Sequence, residues 1–133
     1  MNLNFISPVD GRYNKYLKYY NENFSELAFI KNRLLFEIDY FLFLLSFDEN
    51  PFYNNEKLKN FIKNVKEELV VNLYDNCIEI KEKENIIHHD VKSIEYFLAD
   101  KLKEKGFGQY VNLLHFGLTS QDVNTIAYSI SIK

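Results

Sequence analysis

Arginine occurs only twice in these 133 residues, at Arg12 and Arg33, against fourteen lysines, and tryptophan is absent. Each arginine is therefore more informative than a typical surface cation. Glycine and proline together supply six residues, too few for a linker-rich or disordered chain. The single cysteine, Cys77, excludes an internal disulfide, and Met1 is followed by polar Asn2 and Asn4 rather than by a basic stretch and an apolar leader. A reducing, cytoplasmic setting is expected. Sixteen basic against nineteen acidic residues, with no basic block, leave no positive face for a nucleic-acid backbone. The longest apolar run, Tyr40 to Leu45, extends across Ser46 to Phe47 between Asp39 and Asp48, less than half of a bilayer span, so no membrane segment is expected. A glycine-rich phosphate loop ending in Lys and Ser or Thr, a cysteine pair and a His-Glu-x-x-His element are all missing. Gly106-Phe107-Gly108 follows a lysine-rich helix end, where it reads as helix termination.

What is present is a chain of 47% hydrophobic and 17% aromatic residues, enough for one domain that buries roughly two-thirds of its unfolded surface. Residues 1 to 24 lack sustained periodicity, and Ser7-Pro8-Val9-Asp10-Gly11 carries turn chemistry, so an ordered loop is expected there. From a cap at Ser25 an apolar stripe runs through 27, 30, 34, 38, 41, 42 and 45 to Phe47 and predicts a long helix. Phe29, Phe36, Tyr40, Phe43 and Phe47 lie off that stripe, which predicts burial on two sides. After a break at Asn50-Pro51, Leu58, Phe61, Ile62, Val65, Leu69 and Leu73 mark an amphipathic helix. Asp75 is expected to cap a shorter helix to about Glu84, although Cys77-Ile78-Glu79-Ile80 alternates like a strand. Asp90 is expected to cap a helix with the stripe Val91, Ile94, Phe97, Leu98 and Leu102, ending at Gly106. Thr119-Ser120-Gln121-Asp122 reads as a capping box opening a last helix, which carries no stop signal before Lys133, so the sequence looks cut inside it.

Three clusters could carry chemistry. His88-His89-Asp90, with Lys92 one turn on, stands at an expected helix start, where free N–H groups and the helix dipole favour anions. Solvated histidines beside a capping aspartate fit the same pattern, and without a third ligand a metal centre is not expected. His115-Phe116-Gly117-Leu118-Thr119-Ser120-Gln121-Asp122 places two hydroxyls at a second helix start, suited to a carboxylate or to simple capping. His115 itself, on an apolar stretch, fits a satisfied core histidine. Asp10-Gly11-Arg12-Tyr13 places an arginine just after a tight turn, suited to a phosphate or to the solvated surface. The three offer anion-binding points and no nucleophile, metal or redox group.

The residues Ser7-Pro8-Val9-Asp10-Gly11-Arg12-Tyr13, His89-Asp90-Val91-Lys92 with Glu95-Tyr96-Phe97, and His115-Phe116 with Thr119-Ser120-x-Asp122 resemble adenylosuccinate lyase, of the fumarase/aspartase superfamily. The opening motif is specific to one bacterial-type branch, whereas Thr-Ser-x-Asp alone fits the wider superfamily. The resemblance implies an all-α fold: an N-terminal helical domain over residues 1–115, then the start of a central helical bundle over 116–133. It implies a homotetramer with active sites shared between subunits and no cofactor. It also implies β-elimination of fumarate from adenylosuccinate to give AMP, and from the succinylated aminoimidazole carboxamide ribotide of purine synthesis. By matching positions, Arg12 and Tyr13 contact the nucleotide near its phosphate, and His88, His89 and Asp90 line the nucleotide site. Thr119 and Ser120 hold a succinyl carboxylate, with Lys92 and His115 nearby. The family usually places Asn or another polar residue where His88 stands. Its general acid and base lie downstream of the Thr-Ser-x-Asp helix, so none of these 133 residues is expected to be catalytic. The alternatives are a non-catalytic helical interaction module, docking through the aromatic face at residues 29 to 47, and another fumarate-releasing lyase of the superfamily.

Overall fold

The computed structural model describes residues 6–47 and 55–133, and every regular element among them is helical. In chain order these are α1 (Lys18–Phe24), α2 (Glu26–Leu44), α3 (Glu56–Val71), α4 (Leu73–Ile87), α5 (Asp90–Glu104) and α6 (Ser120–Ile132). Short 3-10 turns cover Asn14–Tyr16 and Gly108–Leu113. The break expected at Asn50-Pro51 lies outside the described residues.

Helix α2 starts where expected because the Ser25 hydroxyl accepts the Ala28 N–H at 3.2 Å, satisfying one of the helix's free donors. Its residues Ile30, Leu34, Ile38 and Phe41 recur at three- and four-residue spacing and are buried. Each such side chain contributes roughly 1.5–3 kcal/mol by leaving water. Against this stripe pack Leu58, Ile62, Val65 and Leu69 of α3, Cys77 and Ile80 of α4, and Ile94, Phe97, Leu98 and Leu102 of α5. Helix α6 lies along α2, where buried Asn32 donates from Nδ2 to the Ala127 carbonyl at 3.4 Å and to the Ser131 hydroxyl at 3.2 Å. α2 is thus the element that α3, α4, α5 and α6 share. No helix among the described residues is long and apolar enough to cross a membrane.

The structure departs from these expectations in some places and decides between readings in others. Residues 18–24 are helical rather than loop; α1 buries none of its residues, so no apolar stripe marked it. Helix α4 runs from Leu73 to Ile87, with Asn72 at its N-cap position and Asp75 inside its first turn. The strand-like alternation at Cys77 to Ile80 resolves as a helical pair, with Cys77 and Ile80 buried three residues apart and Ile78 exposed. His89, not Asp90, caps α5. The second apolar face of α2 stays largely uncovered at its end: Phe43 is 54% and Phe47 44% exposed. Their rings continue a ladder from Phe36 through Tyr40, with centroid separations of 6.0, 6.2 and 4.8 Å.

Candidate functional site

The turn between α4 and α5 is built by two histidines with different backbone roles. His88 closes α4 in the left-handed region, φ 55°, and its N–H donates to the Glu84 carbonyl at 2.7 Å. His89 is extended, and its Nδ1 accepts the Lys92 N–H at 3.1 Å. An accepting Nδ1 leaves the proton of the neutral ring on Nε2, so His89 presents a donor on the surface hollow lined by Glu84, Asn85, His88 and Asp90. Asp90 accepts the Val91 N–H at 2.8 Å on one oxygen and meets Arg33 at 2.8 Å with the other. Lys92 is held by both oxygens of Glu95 at 2.8 Å, beside the Tyr96 ring. Of this cluster, His88 and His89 are the side chains left exposed.

At the start of α6 the capping box forms as expected. Asp122 accepts the Thr119 N–H at 2.7 Å and the Thr119 hydroxyl at 2.8 Å, while the Asp122 N–H points back to that hydroxyl at 3.4 Å. These two hydrogen bonds from Thr119, backbone first and hydroxyl second, hold the Asp122 carboxyl below its ordinary value. Thr119 is therefore occupied by the cap, and Ser120 carries the hydroxyl that the cap leaves free. The approach to this start is bent by two positive φ angles, 55° at His115 and 74° at Gly117. For His115 that is an unfavourable backbone state for a residue with a Cβ, and it is held in place by its side chain. Its Nδ1 lies 2.5 Å from Oε1 of Glu37, a carboxyl only 1% exposed.

Three polar residues of α2, one turn apart along one side, hold both helix starts. Arg33 donates from Nε to the Asn124 side-chain oxygen at 2.9 Å, in the first turns of α6, while its guanidinium meets Asp90 in the first turn of α5. Glu37 holds His115, and the Tyr40 hydroxyl donates to the Phe116 carbonyl at 2.9 Å. A second hollow, lined by Phe29, Arg33, Glu84, Asp90 and Tyr128, adjoins the first through Glu84 and Asp90 and reaches α6. Arg33, Glu37 and Asn124 were not among the residues expected to build the site. The rarity of arginine pointed to Arg33; nothing in the sequence pairs Glu37 with a residue 78 positions away.

Arg12 and Tyr13 are not joined to this arrangement. They stand on a turn in which the Tyr13 N–H reaches the Pro8 carbonyl at 3.0 Å and the Val9 N–H the Ser7 hydroxyl at 3.2 Å. The Arg12 guanidinium lies over the Tyr13 ring at 5.4 Å and has no carboxylate partner among the described residues. Both line a separate hollow with Ser7, Pro8 and Gly11. Among the described residues no group of three or more His, Cys, Asp or Glu side chains is placed to hold a metal ion.

No protein-family model matches the chain. Curated relatives do. Adenylosuccinate lyase of Dictyostelium discoideum is 37% identical over 140 residues, covering 98% of this chain and 28% of the relative. Adenylosuccinate lyases of Legionella pneumophila, 38% identical, and of Buchnera aphidicola from Acyrthosiphon pisum, 39% identical, each cover 98% of this chain and are themselves covered over 29% of their length. The chain is similar to adenylosuccinate lyase along nearly its whole length. It spans less than a third of the adenylosuccinate lyases that it matches. The all-α architecture is consistent with an N-terminal portion of such a helical lyase.

Proposed function

We propose that these residues supply substrate-binding groups of an adenylosuccinate lyase acting in the cytoplasm. The observation that carries the reading is the tie made by Arg33 between the His89-Asp90 and Thr119-Ser120 segments, two helix starts at which anionic groups are favoured. His89 and His88 face the nucleotide; the Ser120 hydroxyl and the free N–H groups of α6 take a succinyl carboxylate. In the β-elimination a base removes a proton from the carbon next to that carboxylate, the carbon–nitrogen bond breaks, and an acid protonates the departing nitrogen, releasing fumarate and AMP. Charge that develops on the carboxylate is stabilised by the α6 start. The acid and the base come from outside these 133 residues. The same groups accept the succinylated aminoimidazole carboxamide ribotide. Arg12 and Tyr13, set apart from the other two clusters, take the nucleotide phosphate in a site assembled from several subunits of a homotetramer. The buried, unpaired thiol of Cys77 fits a reducing compartment.

The test has two arms. A spectrophotometric assay of the 133-residue chain with adenylosuccinate is expected to show no fumarate release, and turnover contradicts the placing of acid and base elsewhere. Calorimetry is expected to show AMP binding weakened by Arg12→Ala and fumarate binding weakened by Ser120→Ala. The exposed Phe43 and Phe47 rings favour one other reading, a helical interaction module. Binding that neither substitution changes supports the module instead.

A further inference from the structure

The starts of α5 and α6 are separated in the chain by the whole of α5 and by the 3-10 segment that follows it, so connectivity alone does not fix the distance between them. One side chain reaches both. Arg33 gives Nε–H to the Asn124 side-chain oxygen at 2.9 Å and meets Asp90 Oδ2 at 2.8 Å through Nη2. A guanidinium is planar and stiff, so the two oxygens it holds lie within about 8 Å of each other and do not shift independently. The arginine side chain is largely buried, which keeps water from competing for either bond.

Neither bond is needed to begin a helix, because His89 already caps α5 and Thr119 caps α6. In a chain with fourteen lysines and two arginines, a lysine would neutralise Asp90 equally well. What a lysine lacks is the fork that holds two acceptors at a fixed angle. The residues assigned to the ligand stand next to the two acceptors: His89 immediately precedes Asp90, and Ser120 lies one turn before Asn124 on the same side of α6. Beside the fork the surface is hollow rather than filled, and the hollow lined by Arg33, Asp90 and Tyr128 runs into the one lined by His88 and His89.

We propose that Arg33 is a positioning residue: by holding Asp90 and Asn124 on one stiff fork, it sets the spacing of the nucleotide-facing and carboxylate-facing groups to the span of a single ligand that carries both parts. The proposal rests on the roles given above to His89 and Ser120 and adds to them a residue that touches neither end of the ligand. A two-part ligand gains from its second contact as an intramolecular event only where the separation of the subsites matches its own length. Subsites free to drift still bind the separate parts, AMP and fumarate, but lose the advantage of the two being joined.

Calorimetry of the 133-residue chain, in its original form and as Arg33→Lys, Arg33→Met and Asn124→Ala, measures Kd for AMP, fumarate and adenylosuccinate, with folding checked by circular dichroism. The readout is the product of the Kd values for AMP and fumarate divided by that for adenylosuccinate, an effective concentration. Loss of the positive charge weakens the parts and the whole in proportion and leaves this ratio unchanged, and partial unfolding does not lower it. All three substitutions are expected to lower the ratio at least about tenfold, while Arg33→Lys and Asn124→Ala keep the affinities for AMP and fumarate within about threefold. Asn124→Ala, which leaves the Arg33–Asp90 pair in place, decides should either arginine variant fail to fold. A ratio unchanged in Arg33→Lys and Asn124→Ala overturns the proposal, and so does a loss of AMP or fumarate affinity as large as that for adenylosuccinate, which makes Arg33 a ligand contact. If AMP and fumarate bind but adenylosuccinate binds no tighter than AMP, the two helix starts do not serve one ligand; this proposal then fails and the separate binding roles stand. Absence of binding by all three overturns the function proposed above, and this proposal with it.

Discussion

Arg33 and Asp90 meet at 2.8 Å with the arginine side chain 12% exposed, and this ion pair joins the middle of one helix to the first turn of another. The pair is worth more than a surface contact because the same guanidinium also holds Asn124. It makes one unit of two segments that are separated by about thirty residues in sequence, His89-Asp90 and Thr119-Ser120.

Arg33→Met is therefore expected to destabilise the chain by about 1–3 kcal/mol, less than a fully buried pair costs because Asp90 is partly solvated. Combined with Asp90→Asn in a double-mutant cycle, it is expected to show a coupling of about 0.5–2 kcal/mol by urea denaturation. Strict additivity of the two substitutions contradicts the tie.

The two faces of α2 make opposite forecasts. Leu34 is fully buried in the shared core, so Leu34→Ala is expected to cost about 2–5 kcal/mol through lost transfer energy and a cavity. Phe43 is half exposed and its ring lies beside those of Tyr40 and Phe47 in the same row, so Phe43→Ala is expected to cost less than about 1 kcal/mol. Equal costs in thermal denaturation contradict the one-sided packing of the C-terminal end of this helix.

Two carboxyls act on stability in opposite directions as pH changes. Asp122 titrates below its ordinary value of 3.8 in the folded chain, so the stability it contributes is present above that value and lost as pH falls through the folded one. Asp122→Asn is expected to flatten the acid limb of a stability profile. Glu37 is raised from 4.5, so its contribution is present below 4.5 and lost as pH rises through its folded value. Relative to the original chain, Glu37→Gln is expected to gain stability as pH rises across that window. Urea midpoints measured from pH 3 to 8 check both signs, and parallel profiles for all three chains count against them.

Helix existence was legible wherever a stripe met a signalled end. Ser25, the Leu58 to Leu69 stripe and the Thr119 capping box all act locally, through hydrogen bonds spanning three residues or contacts spanning a turn or two. Helix α1 was not legible because it buries nothing, and the true cap of α5 was missed because aspartate is the commoner cap, whereas here His89 accepts the bond and Asp90 is drawn to Arg33. The geometry of the candidate site was half legible for the same reason. His89, Asp90, Thr119 and Ser120 announce themselves by their place at helix starts. Glu37 and Arg33 act on residues 78 and 91 positions away, a relationship that only the packing of α6 against α2 creates.

Cys77 provides a check on the interior. It is 4% exposed and its thiol is pushed up to about 11 by burial, so little thiolate exists near neutrality. Reaction with a disulfide reagent at pH 8 is expected to be at least roughly tenfold slower in the native chain than in urea. Equal rates contradict the burial of α4 against α2 and α5.

The central claim is that the three motif clusters are ligand-binding groups, and a backbone amide titration of the 133-residue chain tests it most directly. AMP is expected to move the signals of Arg12, Tyr13, His88 and His89, and fumarate those of Ser120 and Gln121, with the amides of Phe43 and Phe47 unaffected. Amides at all three clusters that stay still while either ligand is raised to millimolar concentration, or shifts confined to the exposed aromatic row of α2, contradict it.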